Sequence, residues 1–234
     1  MQGISNISDT NLENKKFMKE KIIWMCWFQG EDSPSMPALN KKCIKKWKEL
    51  NPDWQVNILS NKKIRAYVPE YFDICSNSPK RGAAARGDLL RLLLLSKFGG
   101  VWADCSVYPI LPLSGFYNNI VNETGFFSYR FMPKSLQDLG DREIVSWFLC
   151  SDRPNHPLID SWKDDFIEIF QNSDTWPYFT LHQTFCKLYD RDNDIQSIVN
   201  NMVQISERIP HSALCNWEQR KDSYMYKRPR LHNE

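Results

Sequence analysis

Ala83-Ala84-Ala85-Arg86-Gly87-Asp88-Leu89-Leu90-Arg91-Leu92-Leu93-Leu94-Leu95-Ser96-Lys97-Phe98-Gly99-Gly100-Val101-Trp102-Ala103-Asp104 decides the architecture. Alanines and leucines are strong helix formers, and the spacing predicts a helix over 80–98. Gly99-Gly100 stops it, because glycine tolerates the positive-φ backbone that ends helices. Val101-Trp102-Ala103 then reads as a buried strand. Working upstream, Ile22-Ile23-Trp24-Met25-Cys26-Trp27-Phe28 is apolar on both faces, as a central parallel strand is. It ends in loop chemistry, Gln29-Gly30-Glu31-Asp32-Ser33-Pro34. Leu39, Cys43, Ile44 and Trp47 recur at helical spacing between Pro37 and Leu50, and Asn51-Pro52-Asp53 stops that helix. Residues 54–59 alternate as a second strand, and 64–68 form a short helix ended by Pro69. The order strand, helix, strand, helix, helix, strand predicts βαβ units and a mostly parallel sheet.

Downstream of Pro112 the regularity falls. Residues 125–131 and 144–149 read as later strands. Leu158, Ile159, Trp162, Phe166, Ile169 and Phe170 predict an amphipathic helix over 157–170, with Pro157 suited to its first turn. Segments 178–189 and 194–202 are further helices. The fold class is therefore α/β: a mixed, mostly parallel sheet flanked by helices, with an irregular helical C-terminal half. Three segments follow: a polar lead-in over 1–20, one domain over 21–216, and a basic tail over 217–234.

The 234 residues suit one sizeable domain. Thirty Lys and Arg against 28 Asp and Glu leave a net charge of +2, too little to attract nucleic acid. Arg220, Lys221, Lys227, Arg228 and Arg230 gather near the C-terminus and read as a solvated tail. The alternative is peripheral contact with anionic lipid, worth about 1 kcal/mol per basic residue. Seven cysteines without a CxxC pair suggest neither a disulfide framework nor a zinc site, and free thiols fit a reducing cytosol. No signal peptide is expected from the polar first twenty residues. The longest apolar run, Leu89–Leu95, is interrupted by Arg91 and is too short to span a membrane. Nine tryptophans are rich for this length; core packing explains most of them, and flat rings also stack on sugars.

Asp88 and Arg91, three apart, share a helix face. Asp104 falls just past a buried strand, where open α/β sheets bind ligands. Each has a simpler reading. Asp88 and Arg91 could be a surface ion pair worth a few tenths of a kcal/mol, and Asp104 a turn residue capping its own backbone. The ordered combination of Asp-x-x-Arg, Gly-Gly, apolar strand and Asp favours a site. His156 reads as a turn or packing residue and His182 as an ordinary helix histidine. His211, after Ile209-Pro210, would reach a cleft only if the C-terminal segment folds back, and Glu123 and Glu143 are candidate bases without supporting spacing.

These motifs, with Lys21–Gly30, Trp47–Trp54, Pro154-Asn155-His156-Pro157 and Tyr178-Phe179 with His182, resemble the capsular polysaccharide synthesis proteins. Those are relatives of the family 32 glycosyltransferases, which include toxin glucosyltransferases and yeast mannosyltransferases. The resemblance runs from about residue 20 to 190 and implies a GT-A-like fold. It implies transfer of a sugar, with retention, from a nucleotide-sugar donor (a UDP-sugar favoured) to a glycan acceptor. The setting would be capsule or other surface polysaccharide synthesis in the cytoplasm, at the inner face of the membrane. It also implies that Trp24, Trp27, Gln29 and Gly30 line the nucleotide pocket. Asp88 and Arg91 would contact donor hydroxyls and phosphate. Asp104 would face the ribose and a divalent cation, Mn²⁺ or Mg²⁺.

One departure stands out. The family's Asp-x-Asp is here Asp104-Cys105-Ser106, and a neutral Ser106 hydroxyl is the poorer metal ligand. That departure keeps open a second reading, a non-catalytic glycan or nucleotide-sugar binding module of the same fold, and the toxin relatives suggest a third, a protein-modifying effector.

Overall fold

The computed structural model describes residues 21–130, 144–208, 210 and 223–227. Strand β1 (Ile22–Cys26) lies inside a five-stranded sheet of order β2-β1-β3-β6-β5. It runs parallel to β2 (Gln55–Leu59) on one side and to β3 (Gly100–Ala103) on the other. β6 (Ile144–Ser151) is antiparallel to both β3 and β5 (Phe126–Arg130). β6 is thus the one reversed strand, and the sheet is mixed and mostly parallel, the GT-A-like α/β arrangement expected.

Both faces are covered, which is why β1 is apolar at every position. Ile22 and Trp24 face a core with α4 (Ala83–Phe98), α6 (Pro157–Asn172), α7 (Thr180–Arg191) and α8 (Asn193–Asn201). Ile23 and Met25 face a second core with α1 (Ala38–Leu50) and α5 (Tyr117–Val121). α4 is apolar all round because it lies between the sheet and α6. Asp192 caps α8, accepting from the Asp194 and Ile195 amides at 3.0 Å each.

The Gly-Gly stop proves to be a close approach as well as a turn. Gly99 and Gly100 have φ of +67° and +94°. A Cβ on Gly99 would lie 2.8 Å from the Arg153 carbonyl carbon, and one on Gly100 2.7 Å from Ile22 O. Trp24 Nε1 donates to Gly99 O at 3.0 Å, tying the end of α4 to β1.

Chain order reverses at β1. The chain goes from β1 outward to β2, passes through α2 (Asn61–Tyr67), α3 (Glu70–Ser76) and α4, and returns to β3 on the other side of β1. At such a reversal of strand order, open α/β sheets bind ligands beyond the carboxyl ends of the strands, and here those are the ends of β1 and β3.

Two features differ from the sequence expectation. α3 begins directly after Pro69, which reads as a stop but serves equally as an entry into a helix. Residues 223–227, expected in a solvated tail beyond 216, pack against the sheet domain, while the rest of that tail, with Arg220, Lys221, Arg228 and Arg230, lies outside the described residues. Met225–Lys227 forms β7, antiparallel to β4 (Val107–Pro109). This ribbon is anchored by Trp47 Nε1, which donates to Val107 O at 2.9 Å. The Tyr224 ring also stacks on Phe116 at 4.3 Å. Three-residue strands carry too little periodicity to be read in advance. Phe131, in the expected strand 125–131, lies outside the described residues, as do 1–20. Among the described residues no helix is long and apolar enough to cross a membrane.

Candidate active site

Arg91 is the organising side chain. Its leucine-rich helix carries it into the interior, where its side chain is 8% exposed. A buried guanidinium must be paired. Arg91 Nη2 lies 3.1 Å from Asp88 Oδ1 and 3.6 Å from Asp104 Oδ1, and Nη1 donates to Ser146 O at 2.9 Å. Its guanidinium stands 5.1 Å from the centre of the Trp102 ring, a cation–π distance. This is no surface ion pair: α4 and the end of β3 are joined through it.

Asp104 is fixed from several sides. Its amide donates to Trp147 O at 3.0 Å, continuing the β3–β6 ladder by one residue. Its carbonyl accepts from the Val107 amide at 2.9 Å, closing the turn into β4. The carboxylate accepts from Trp102 Nε1 at 3.0 Å on one oxygen and from Lys227 Nζ at 2.8 Å on the other. Burial pushes this carboxyl up, but the Lys227 and Arg91 charges and the two hydrogen bonds outweigh it and hold it below the usual range. Asp104 does sit in a turn, but the turn is closed by its backbone carbonyl rather than by its carboxylate, and the side chain points into a four-membered cluster of Asp88, Arg91, Asp104 and Lys227.

Lys227 is the member that sequence reasoning missed. Its Nζ also contacts Ser106 Oγ, and its side chain is only 14% exposed. Nothing in local sequence distinguishes it from the other basic residues of the C-terminus. The signal is the 123-residue separation closed by a three-residue strand.

The exit of β1 meets the exit of β3 through Cys105 Sγ, which donates to Cys26 O at 3.2 Å. Burial, with the nearby Asp104 charge, pushes the Cys105 thiol up to about 12, and burial likewise raises Cys26. Both are neutral thiols. The six described cysteines are all free.

The remaining predicted residues divide. Gly30 has φ +98° and its amide donates to Trp27 O at 2.8 Å, making the tight exit turn of β1. Gln29 is exposed on that turn. Trp27 is half-buried, and its buried Nε1 meets no acceptor among the described residues, as is true of Arg91 Nε. Trp24 corrects the expectation that it lines a pocket. It is fully buried, with its ring 5.1 Å from Tyr67 and 5.5 Å from Phe98. A mid-strand residue of a doubly covered sheet points into a core, and Trp24 does so.

His156 is the packing residue expected: fully buried, its Nε2 2.8 Å from Thr124 O. Glu123 is exposed just before β5, whose start pairs at the level of Gly100, the opposite end of the sheet from Asp104. Glu143 and His211 lie outside the described residues.

A divalent cation of the Mg²⁺ or Mn²⁺ kind wants about six hard oxygen ligands. Asp104 and Ser106 would be the protein's share, and Lys227 Nζ already engages both. Among the described residues no group of three or more His, Cys, Asp or Glu could hold a metal. As arranged, this donor set does not fit the cation implied by an Asp-x-Asp motif.

Sequence comparison finds relatives among named glycosyltransferases. "O-glycosyltransferase braB" of Annulohypoxylon truncatum is 26% identical over 176 residues, covering 70% of this chain and 41% of that protein. The "Initiation-specific alpha-1,6-mannosyltransferase" of Candida albicans is 27% identical over 114 residues, 46% of this chain and 29% of that one. The chain thus spans about two fifths of the first relative's length. Among solved structures, the PaToxG glycosyltransferase superposes with a TM-score of 0.49 and 17% identity, over 78% of this chain and 73% of that one. A family model described as "Capsular polysaccharide synthesis protein" matches residues 3–229. With that match covering nearly the whole sequence, the chain belongs to the capsular polysaccharide synthesis protein family.

Proposed function

We propose that the protein is a glycosyltransferase that moves a sugar from a nucleotide-sugar donor to a hydroxyl of a glycan acceptor, in the assembly of capsule or another surface polysaccharide. The observation that carries this reading is the Asp88–Arg91–Asp104–Lys227 cluster at the carboxyl ends of the strands. A departing nucleoside diphosphate gathers negative charge. Arg91 and Lys227 supply fixed positive charge where that develops, which lowers the barrier most when the site is poor in water. Asp88 and Asp104 are acceptors for sugar hydroxyls, which are good donors. Trp27 Nε1 offers a buried donor at the exit of β1.

With retention, the acceptor oxygen bonds to the anomeric carbon on the face from which the diphosphate oxygen leaves. The C–O bond to diphosphate breaks, its electron pair stays on the nucleotide, and the acceptor proton passes to a phosphate oxygen. This path needs no protein nucleophile. Action on the cytoplasmic side of the membrane, where nucleotide sugars and lipid-linked glycans meet, follows from the same reading.

The test is nucleoside diphosphate release from a panel of UDP-, GDP- and CDP-sugars by wild-type protein and by Arg91→Lys. Turnover of one donor, lost in the variant, supports transfer. A second reading, a nucleotide-sugar or glycan binding module, is favoured by one observation: the internal pairing of Asp104 and Ser106 with Lys227. Tight donor binding without release would select it.

A further inference from the structure

We propose that Lys227 is the resident cation of the donor diphosphate subsite, so that donor binding and turnover proceed without a divalent metal. This rests on the reading of the Asp88–Arg91–Asp104–Lys227 cluster as a nucleotide-sugar site. The two oxygens that Lys227 Nζ contacts, Asp104 Oδ2 and Ser106 Oγ, are those at the first and third positions of the Asp-Cys-Ser sequence. These are the positions an Asp-x-Asp motif would present to a metal. The replacement of the second carboxylate by a hydroxyl is then matched in charge: a monovalent ammonium needs one carboxylate, where a divalent ion would want two.

Lys227 is also built in rather than draped over the site. Its amide donates to Pro210 O at 2.6 Å, and the preceding Met225 and Tyr226 are fully buried. β7 pairs in register with β4, whose first residue, Val107, follows Ser106 directly. The strand therefore delivers the ammonium to the same turn that carries Asp104. An ammonium has three protons. Asp104 and Ser106 take two, which leaves one for a phosphate oxygen. A divalent ion between the same two oxygens would have to expel a mostly buried like charge from its ion pair.

The experiment uses the full chain after exhaustive dialysis against EDTA. Three quantities are measured: donor turnover with EDTA or Mn²⁺, calorimetric binding of UDP and UMP under both conditions, and Mn²⁺ binding by electron paramagnetic resonance. The expected result is turnover in EDTA within about twofold of that in Mn²⁺, together with no tight Mn²⁺ binding by wild type. Lys227→Ala should lose about 100-fold or more in kcat/KM, the scale seen when a charge-stabilising group is removed. It should also lose the preference for UDP over UMP, while Lys227→Arg keeps it.

Turnover that EDTA abolishes and Mn²⁺ restores would overturn the proposal, as would a folded Lys227→Ala with wild-type kinetics. If Lys227→Ala does not fold, the EDTA comparison on wild type decides alone. Failure of wild type to bind or turn over any of the UDP-, GDP- or CDP-sugars or UDP, with or without Mn²⁺, would overturn the donor-site reading itself and the inference with it.

Discussion

Lys227 Nζ lies 2.8 Å from Asp104 Oδ2, across 123 residues of chain. The contact joins the last described strand to the end of the central one and brings Lys227 into the candidate site. Arg91 holds Asp104 from the other side, at 3.6 Å.

Arg91 should not tolerate substitution. Arg91→Met would leave Asp88 and Asp104 short of a partner in a mostly buried setting, and breaking such a pair costs about 3–5 kcal/mol when fully buried, somewhat less here because Asp104 keeps partial exposure. Arg91→Lys keeps the charge but cannot reach Asp88, Asp104 and Ser146 O together. Urea denaturation is expected to give the order wild type, Lys, Met in decreasing stability. Equal midpoints would show that the cluster contributes nothing to folding.

Gly100 and Gly87 make a contrasting pair. Gly100→Ala places a Cβ 2.7 Å from a backbone oxygen at φ +94°, and a loss of roughly 2 kcal/mol or more is expected from clash and strain together. Gly87, inside α4, has open space around the corresponding position. Gly87→Ala should stabilise by about 0.5–1 kcal/mol through helix propensity. Thermal melts of both variants check the signs.

His156 sets part of the acid limb of stability. Burial, the largest influence, lowers its pKa below the ordinary 6.5, and the Thr124 carbonyl only partly offsets this. The unfolded chain then binds a proton that the folded chain refuses. The stability due to neutral His156 is present above pH 6.5 and is lost as pH falls through its folded value. Asp104, also lowered, adds a second loss below its ordinary 3.8. Denaturation midpoints between pH 7.5 and 5 should fall for wild type and fall less for His156→Phe. Parallel curves would remove His156 from the account.

The Cys105 thiol, raised to about 12 by burial and by Asp104, is protonated at neutral pH. Alkylation by iodoacetamide at pH 8 should miss Cys105 in the native protein and reach it in denaturant. Rapid native labelling would contradict the buried junction between the β1 and β3 exits.

Much of this was legible in sequence, for physical reasons. β1, α1, α4, β3 and α6 announce themselves by apolar runs or helical spacing and β2 by alternation, and Gly99-Gly100 marks close approaches to the Arg153 and Ile22 backbones. Asp88, Arg91 and Asp104 could be nominated because helix spacing and strand-end position are local properties. Trp24 was misjudged because an aromatic residue beside a crevice and one in a core read alike until the direction of its side chain is known. Lys227 was invisible for the opposite reason: its role depends on a pairing with Val107 that no local pattern encodes.

The most direct test of the central claim is nucleoside diphosphate release by Asp104→Asn beside wild type, with the best donor of the panel and with folding checked by circular dichroism. The Asp104 cluster as donor site predicts a folded variant whose turnover falls by about 100-fold or more, the scale of misplacing the donor and the Lys227 ammonium by about an ångström. A folded Asp104→Asn that releases nucleoside diphosphate at the wild-type rate would contradict it.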